Sequence, residues 1–462
     1  MEDKHWRLSA PQAILISFAA MIAVGTGLLT LPWASQDGQS IGWLNALFTA
    51  TSANCVTGLV VVNTMQHWTL FGQLVILALI QLGGIGFITV VTGALIVFRR
   101  RIGLRQRLTI QTMFNQNTLG GMTRLVLRVL RYTAAIEGLG AVLLTAGFLS
   151  ADRGYTFGEA LWYGVFHAIS AFCNAGFDIV GVNSLVEFSG NWLINLTVMA
   201  LITLGGLGFT VLHELRHLLT HRRRPLRVRL HHLSVHTKLV CWVSLGLFVG
   251  GTLLFALLEW HNAKTLGAFS TPQKWLAAAF ESVTLRTAGF LTVDQGQLTD
   301  FSKLLASGLM FVGGSPAGTA GGIKTITLAV LGAAVLSALR GHATLVVFDR
   351  QLPLAVLQKA LAIVGTLLVV VAVAVLILNF SEVHNAFHPK LLDLLFEVTS
   401  AAGTVGLTTG MTPTLSPLGK LVIAACMFIG RLSPLTIAVA LNTRLDAHPH
   451  TITYPTENVI VG

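Results

Sequence analysis

Four short stretches of this chain are versions of one motif: FTATSANCVTGL (48–59), FHAISAFCNAGF (166–177), FESVTLRTAGF (280–290) and FEVTSAAGTVGL (396–407). Each starts with Phe, places Ser or Thr four residues later (Ser52, Ser170, Thr284, Ser400) and ends in Gly followed by Leu or Phe; the third is one residue shorter. The glycines Gly58, Gly176, Gly289 and Gly406 lie 118, 113 and 117 residues apart, so the chain repeats one domain-scale unit four times. A second signal keeps the same period: Leu82-Gly83-Gly84, Leu204-Gly205-Gly206, Val312-Gly313-Gly314 and Ile429-Gly430-Arg431 follow the motif glycine by 24 to 29 residues. Small residues that merely let helices pack closely could produce one such motif. Four at near-constant spacing need another cause.

Apolar sequence fills the period. Runs near 11–32, 69–98, 125–149, 190–219, 239–260, 303–339, 360–380 and 417–443 are each long enough to cross a bilayer as a helix, for which about 20 residues suffice. The motif stretches are too short to cross and read as re-entrant segments. The expectation is an all-α polytopic membrane protein with eight transmembrane helices and four re-entrant pore half-helices, arranged as helix-pore-helix repeats around one ion pore. Repeats are expected at 1–98, 125–219, 239–340 and 359–444, with cytoplasmic loops at 99–124, 220–238 and 341–358 and a tail at 445–462. Composition excludes a soluble domain: 53% of residues are hydrophobic and 11% charged, against about 25% charged in ordinary soluble proteins. The first run, Ala13 to Leu31, exceeds a signal-peptide core and is kept as a span.

Charge sets the orientation. Of 30 Lys and Arg, 21 fall with the N-terminus and the loops between repeats, six fall on the other side, and Arg286, Lys324 and Arg431 lie at membrane depth. The positive-inside rule then places both termini in the cytoplasm. The outer side carries 12 acidic residues against 6 inside, a field that favours cation entry. Because the basic residues sit between spans rather than on one wetted face, the formal charge of +11 does not indicate nucleic acid. Cys55, Cys173, Cys241 and Cys426 lack metal-site spacing and read as ordinary thiols.

A half-helix that ends midway through a membrane points the negative end of its dipole inward and favours a cation there. The extended segment after it exposes backbone carbonyls, which is tolerable at that depth only along a water-filled path. Rings of such carbonyls select potassium, and Thr404-Val405-Gly406 spells the start of a potassium-filter signature. Candidate filter residues are Val56, Thr57 and Gly58; Asn174, Ala175 and Gly176; Thr287, Ala288 and Gly289; Thr404, Val405 and Gly406. Glycine permits the positive φ that turns carbonyls toward an axis.

The sixth run contains GGSPAGTAGGIK, Gly313 to Lys324, with five glycines and Pro316. Glycine costs a helix interior about 1 kcal/mol and proline about 3, so the segment should unwind within the membrane. It is not a nucleotide P-loop, because Ile323 separates Gly322 from Lys324. Arg431 stands where the other repeats have glycine, and burying it costs about 2.5–3.5 kcal/mol on insertion scales, so it should face the axis or the Gly-rich loop. Arg286 is expected to tie the third loop to an acidic neighbour, while Glu137 has no evident partner.

Two other functional classes fit parts of the sequence less well. His213-Glu214-Leu215-Arg216-His217 matches H-E-x-x-H, a zinc-protease helix motif, yet it lies in a histidine-rich basic stretch without a close acidic third ligand. Alternating-access transporters generally carry inverted repeats, whereas these four units share one sense.

The four filter loops, the Gly-rich break and Arg431 together resemble the Trk/Ktr/HKT superfamily of potassium-uptake proteins, and are most similar to its Ktr-type membrane subunit. The resemblance covers nearly the whole chain; Trk-type members carry an additional helix pair before the first repeat, where this chain has about ten residues. It implies potassium as the transported ion, since plant members associated with sodium transport carry Ser at the position of Gly58. It further implies a gate formed by Gly313, Gly314, Ser315, Gly318, Thr319, Gly321, Gly322, Lys324 and Arg431, acting as a movable plug beneath the filter. Sodium as an activator, a homodimer with one pore per subunit, and a cytosolic ring of nucleotide-binding regulatory subunits are implied as well, in the cell inner membrane. No tightly bound cofactor or metal is expected on this chain beyond the transported K⁺. The basic loops, with Arg99-Arg100-Arg101 and Arg222-Arg223-Arg224, are the expected docking sites for that ring.

Overall fold

The computed structural model describes residues 9–441 apart from 98–102, 114–121, 152, 221–227, 229, 231, 342–343 and 349. The two arginine triplets and the 445–462 tail lie outside the described residues.

Each repeat contributes a long outer helix, a short half-helix and an inner helix. The outer helices are Ala10–Thr30, Met122–Leu149, Val235–Glu259 and Leu354–Ser381; the half-helices are Trp43–Asn54, Phe157–Phe172, Thr271–Thr284 and Leu391–Gly403. Local chemistry fixes several starts. Ser9 and Gln12 form a reciprocal capping box, with Pro11 in the first turn, and Thr156 with Glu159 forms another. The four outer helices are long and apolar enough to cross a bilayer as single rods.

The inner helices depart from the expectation of continuous spans. Leu70–Ile85 turns by 90° into the helix that follows it, and Trp192–Leu207 turns by 106° into Phe209–Thr220, so counting each bent pair as one span raises the total from four to six among the described residues. The third inner helix is Asp300–Met310, separated by the Gly-rich loop from Thr325–Leu339; the fourth is Pro417–Leu432, followed by Pro434–Leu441. The first, second and fourth breaks have one backbone cause. Gly86 (φ 90°), Gly208 (φ 86°) and Ser433 (φ 68°) occupy equivalent places, and a positive φ cannot continue a right-handed helix. All four inner helices are therefore interrupted, although only the third looked so from composition.

Every inner helix is also tied at its start to the end of its own outer helix or to the residues just after it. Thr69 Oγ1 donates to the carbonyl of Trp33 (2.7 Å), and Asn191 Nδ2 to that of Gly147 (3.4 Å). In the third and fourth repeats a carboxylate does the work: Glu259 accepts from Thr299 N and Oγ1 (2.9 and 2.8 Å), and Glu382 from Ser416 N and Oγ (3.1 and 2.5 Å). Thr69, Asn191, Thr299 and Ser416 are the N-caps of the four helices, so each tie also fixes where the helix begins.

Polar contacts join neighbouring repeats into a closed ring. Trp162 Nε1 donates to Gln73 Oε1 (2.8 Å), Leu291 N to Ser184 Oγ (3.2 Å), Lys303 Nζ to Asp393 Oδ1 (2.9 Å) and Lys420 Nζ to Asn45 Oδ1 (3.0 Å), linking repeats one to two, two to three, three to four and four to one. Lys303–Asp393 is a nearly enclosed ion pair, with side chains 11% and 9% exposed. Removing one member strands a buried charge, at a cost of about 3–5 kcal/mol. Asp393→Asn is therefore expected to lower the thermal unfolding midpoint in detergent by several degrees, and Lys303→Met/Asp393→Leu together to recover most of it. A single variant as stable as the parent would show that the pair contributes nothing.

Candidate functional site

The motif residues do the same work in each repeat. Phe48, Phe166, Phe280 and Phe396 are all fully buried and anchor the half-helices, each contributing about 1.5–3 kcal/mol by burial. Past each half-helix the chain reverses and is pinned to it: Thr57 N donates to Ser52 O (2.8 Å), Ala175 N to Ser170 O (2.7 Å), Ala288 N to Thr284 O (3.0 Å) and Val405 N to Ser400 O (2.8 Å). The hydroxyls act in two ways. Ser52 and Ser400 accept from Gly58 N and Gly406 N (both 3.1 Å), whereas Ser170 and Thr284 donate to the carbonyls of Phe177 and Phe290 (both 2.7 Å). Repeats one and four share one arrangement, two and three the other, matching Leu or Phe after the glycine.

The loops alternate in hand. Val56 (φ 57°), Asn174 (φ 59°), Thr287 (φ 68°) and Thr404 (φ 52°) are left-handed, and two residues on so are Gly58, Gly176, Gly289 and Gly406. A β-branched residue in that region is strained and persists only when its surroundings hold it there. The surroundings here are the other loops. A Cβ on Gly58 would lie 2.5 Å from the Ala175 carbonyl oxygen, one on Gly176 2.6 Å from that of Ala288, and one on Gly289 2.5 Å from that of Val405; one on Gly406 would strike the Thr57 carbonyl. The order closes on itself, one to two to three to four and back to one, with main-chain oxygens of four loops crowded at the centre. All twelve candidate filter residues fall in this ring, and all are buried.

The inner helices come close to the ring through glycine. Gly83, Gly205 and Gly430 pack directly on the carbonyls of Asn54, Phe172 and Ala402, each four residues before a motif glycine, where a side chain would not fit. The third repeat has its loop there instead. Gly313 N donates to Ile323 O (2.8 Å), closing the loop at its neck, and Ser315 Oγ meets Thr325 Oγ1 (3.0 Å). Ser315 N and Thr319 N donate to Gly206 O and Gly205 O (2.8 and 3.1 Å), and Thr319 Oγ1 donates to Phe172 O at the end of the second half-helix (2.9 Å). Gly321 packs against the Thr404 side chain and Gly313 against that of Thr287, so the loop lies directly under the ring.

Arg431 completes the arrangement. Its Nη1 donates to Thr319 O in the loop, and its Nη2 to Gly83 O (2.6 Å) and Gly84 O (3.1 Å) of the first inner helix. Lys324 Nζ donates to Ala320 O (2.6 Å). Both cations face carbonyls, and both line a cavity of about 210 Å³ with Phe18, Ala320 and Ser433. Gly313, Gly314, Ser315, Gly318, Thr319, Gly321, Gly322 and Lys324 thus form one compact plug-like loop, held from the neighbouring fourth repeat by Arg431.

Other residues differ from expectation. Among the described residues Arg286 reaches no acidic partner: just past the half-helix, it donates to Ser244 O (3.4 Å) and Ser244 Oγ (3.3 Å) on its own outer helix. Glu137 has a partner, Gln81 Nε2 at 3.0 Å, on the first inner helix. Glu397 holds the fourth loop by accepting from the hydroxyls of Thr408 (2.9 Å) and Thr412. The H-E-x-x-H segment is divided: His213 and His217 line a cavity together, while Glu214 accepts from Ser234 N and Oγ (3.1 and 3.0 Å) at the start of the next outer helix.

Residues 2–448 match the cation transport protein family TrkH. The Ktr system potassium uptake protein B of Bacillus subtilis is 37% identical over 459 residues, covering 99% of this chain and 98% of that protein. The potassium/sodium uptake protein NtpJ of Enterococcus hirae is 35% identical with the same coverage. In fold, the chain resembles the crystal structure of the potassium transporter TrkH from Vibrio parahaemolyticus, with a TM-score of 0.71, 18% identity, and coverage of 96% of this chain and 87% of that one. The family match across almost the full length and the two near-complete relatives place this membrane-integral chain in the Trk/Ktr family of cation transport proteins.

Proposed function

We propose that the chain is the ion-conducting subunit of a Ktr-type potassium uptake system. Potassium would enter from the side bearing the loop mouths, shed its water for the main-chain oxygens of Val56–Gly58, Asn174–Gly176, Thr287–Gly289 and Thr404–Gly406, and stop above the Gly313–Lys324 loop. The closed cycle in which each glycine abuts the next repeat's carbonyl carries this reading, because packing alone would not require left-handed residues at eight matching places. The negative ends of four half-helix dipoles face the same centre and add to the attraction for a cation. Eight membrane crossings are proposed from the eight apolar runs, both termini in the cytoplasm from the charge count, and the inner membrane as location from the likeness to the Ktr proteins. A homodimer, activation by sodium and control by a cytosolic nucleotide-binding ring are proposed on the likeness to the Ktr proteins.

The test is ion flux from purified protein in liposomes, comparing K⁺, Rb⁺ and Na⁺. Transport of K⁺ and Rb⁺ well above Na⁺ supports the filter. Comparable K⁺ and Na⁺ fluxes would instead favour a joint potassium/sodium carrier, the reading that the name of the Enterococcus relative supports. Adding the regulatory subunit with nucleotide should alter flux; a full nucleotide response from the membrane subunit alone would reject control by a partner.

A further inference from the structure

Glu137 is buried in the outer helix Met122–Leu149, far from any filter residue in sequence, yet its contacts converge on the second filter turn. Gln81 Nε2 of the first inner helix donates to its Oε2 (3.0 Å), and Gln81 Oε1 accepts from Cys173 Sγ (3.4 Å). The same sulfur stands 3.8 Å from Glu137 Oε1. One orientation of the Gln81 amide thus serves both neighbours, with its nitrogen toward the carboxyl group and its oxygen toward the thiol. Cys173 ends the second half-helix in right-handed backbone (φ −73°), and the next residue, Asn174, is left-handed (φ 59°). The three side chains therefore grip the chain where the filter turn begins. At that depth no water replaces a broken hydrogen bond, so a buried carboxyl group constrains its partners firmly.

Two further observations show what this grip positions. A Cβ on Gly84 would lie 2.7 Å from Cys173 Sγ, while Gly83 packs on the Asn54 carbonyl and both glycine carbonyls accept from Arg431 Nη2. Residues 81–84 are thus a junction between the first two filter turns and the Arg431 clamp. The third repeat supplies a parallel: Arg286, directly before left-handed Thr287, is tied to Ser244 of its own outer helix. In both repeats the last residue before the turn is fastened to the outer helix of the same repeat, by unrelated side chains. We propose that Glu137 is a positioning residue for ion selection, which through Gln81 and Cys173 sets the angle at which Asn174–Gly176 enter the ring. It acts on the ion only through that loop, so the inference rests on the filter assignment above.

The test is K⁺ and Na⁺ flux from the purified full-length protein in liposomes, with thermal unfolding in parallel, for the parent, Glu137→Leu, Glu137→Gln, Gln81→Met and the double variant Glu137→Leu/Gln81→Met. Loss of one buried hydrogen bond at the turn should lower the ratio of K⁺ to Na⁺ flux about fivefold in Glu137→Leu and in Gln81→Met. Glu137→Gln keeps an oxygen for Gln81 Nε2 and should stay within about twofold of the parent. The double variant should be no less selective than the worse single one, because both remove the same link. Leu139→Ala, on the exposed face of the same helix, should change nothing. A parental ratio in folded Glu137→Leu and Gln81→Met, even with lowered stability, overturns the proposal by reducing Glu137 to a structural role. So does a ratio that falls in Glu137→Gln as far as in Glu137→Leu, which would assign the effect to charge, and so do single effects that multiply in the double variant. If Glu137→Leu fails to fold, Gln81→Met decides alone. A parent without K⁺ preference removes the filter assignment and this inference together, whereas a selective parent with unchanged variants removes this inference only.

Discussion

Gly406→Ala is expected to abolish most of the preference for K⁺ over Na⁺ in liposome flux, and to do so more completely than Gly58→Ala. Both glycines hold a positive φ, 93° and 99°, which costs an L-residue about 1–2 kcal/mol. The difference lies in what the new Cβ meets. On Gly406 it strikes the Thr57 carbonyl and crowds Gly58 Cα and Thr57 C, both at 2.9 Å; on Gly58 the contacts are 2.5 Å to the Ala175 oxygen and 3.1 Å to Gly176 Cα. All of these are main-chain atoms, which cannot swing aside. Relief must come from moving the carbonyls proposed to hold the ion, and a displacement that removes about 1.4 kcal/mol of discrimination lowers the ion ratio tenfold. Gly308→Ala is the control, since nothing lies within 4 Å of its Cβ, and it should leave the ratio unchanged. Unaltered ion preference in both filter variants, with protein present in the membrane, would sink the assignment.

Arg431→Ala should raise K⁺ flux in the absence of any regulatory partner. Its guanidinium joins the Gly-rich loop to the first inner helix through three carbonyls, and hydrogen bonds to charged groups contribute about 1.5–3 kcal/mol each. If that clamp holds the loop under the ring, releasing part of it lowers the barrier, and about 1.4 kcal/mol corresponds to a tenfold rise. Arg431→Lys separates charge from clamp, because an ammonium keeps the charge but lacks the planar fork that spans both elements. Flux near that of the alanine variant identifies the clamp as the barrier; flux near that of the parent identifies the charge. Equal or lower flux in folded Arg431→Ala, together with the same result on shortening the loop, would count against a gate.

The repeat was legible because four copies of a motif average out the noise that makes one copy ambiguous. Phe48, Ser52 and Gly58 and their counterparts were visible as a pattern before any contact was known, and the contacts give each a separate role. The Gly-rich loop was legible for the same reason a helix break usually is: five glycines and a proline leave no helical propensity to override. Gly86 and Gly208 are hard to read as breaks because each stands alone in strongly apolar sequence, where hydrophobicity argues for one long helix. Comparing LGGIGF (82–87) with LGGLGF (204–209) would have exposed a third glycine at a matching place, and Ser433-Pro434 is its counterpart in the last repeat. Charge at depth suggests an ion pair for Arg286, and the structure instead gives it Ser244. Carbonyls at helix ends and serine oxygens satisfy a guanidinium equally well, and sequence does not show which of them is near. The same ambiguity hid Gln81 from Glu137.

The strained residues of the ring have a consequence for how the protein is made. Val56 and Thr57 are synthesised well before the fourth repeat, yet the surface against which Thr57 settles includes Gly406, about 350 residues later. A nascent chain carrying only the first three repeats has nothing to enclose that side, and Val56 would relax to ordinary backbone angles. The selective geometry therefore belongs to the completed circle and to no repeat alone. Chain closure between such distant segments is slow in loop-entropy terms. The final maturation step should then be the docking of the last repeat onto the first, and a truncation before Leu391 should insert normally while failing to acquire ion preference.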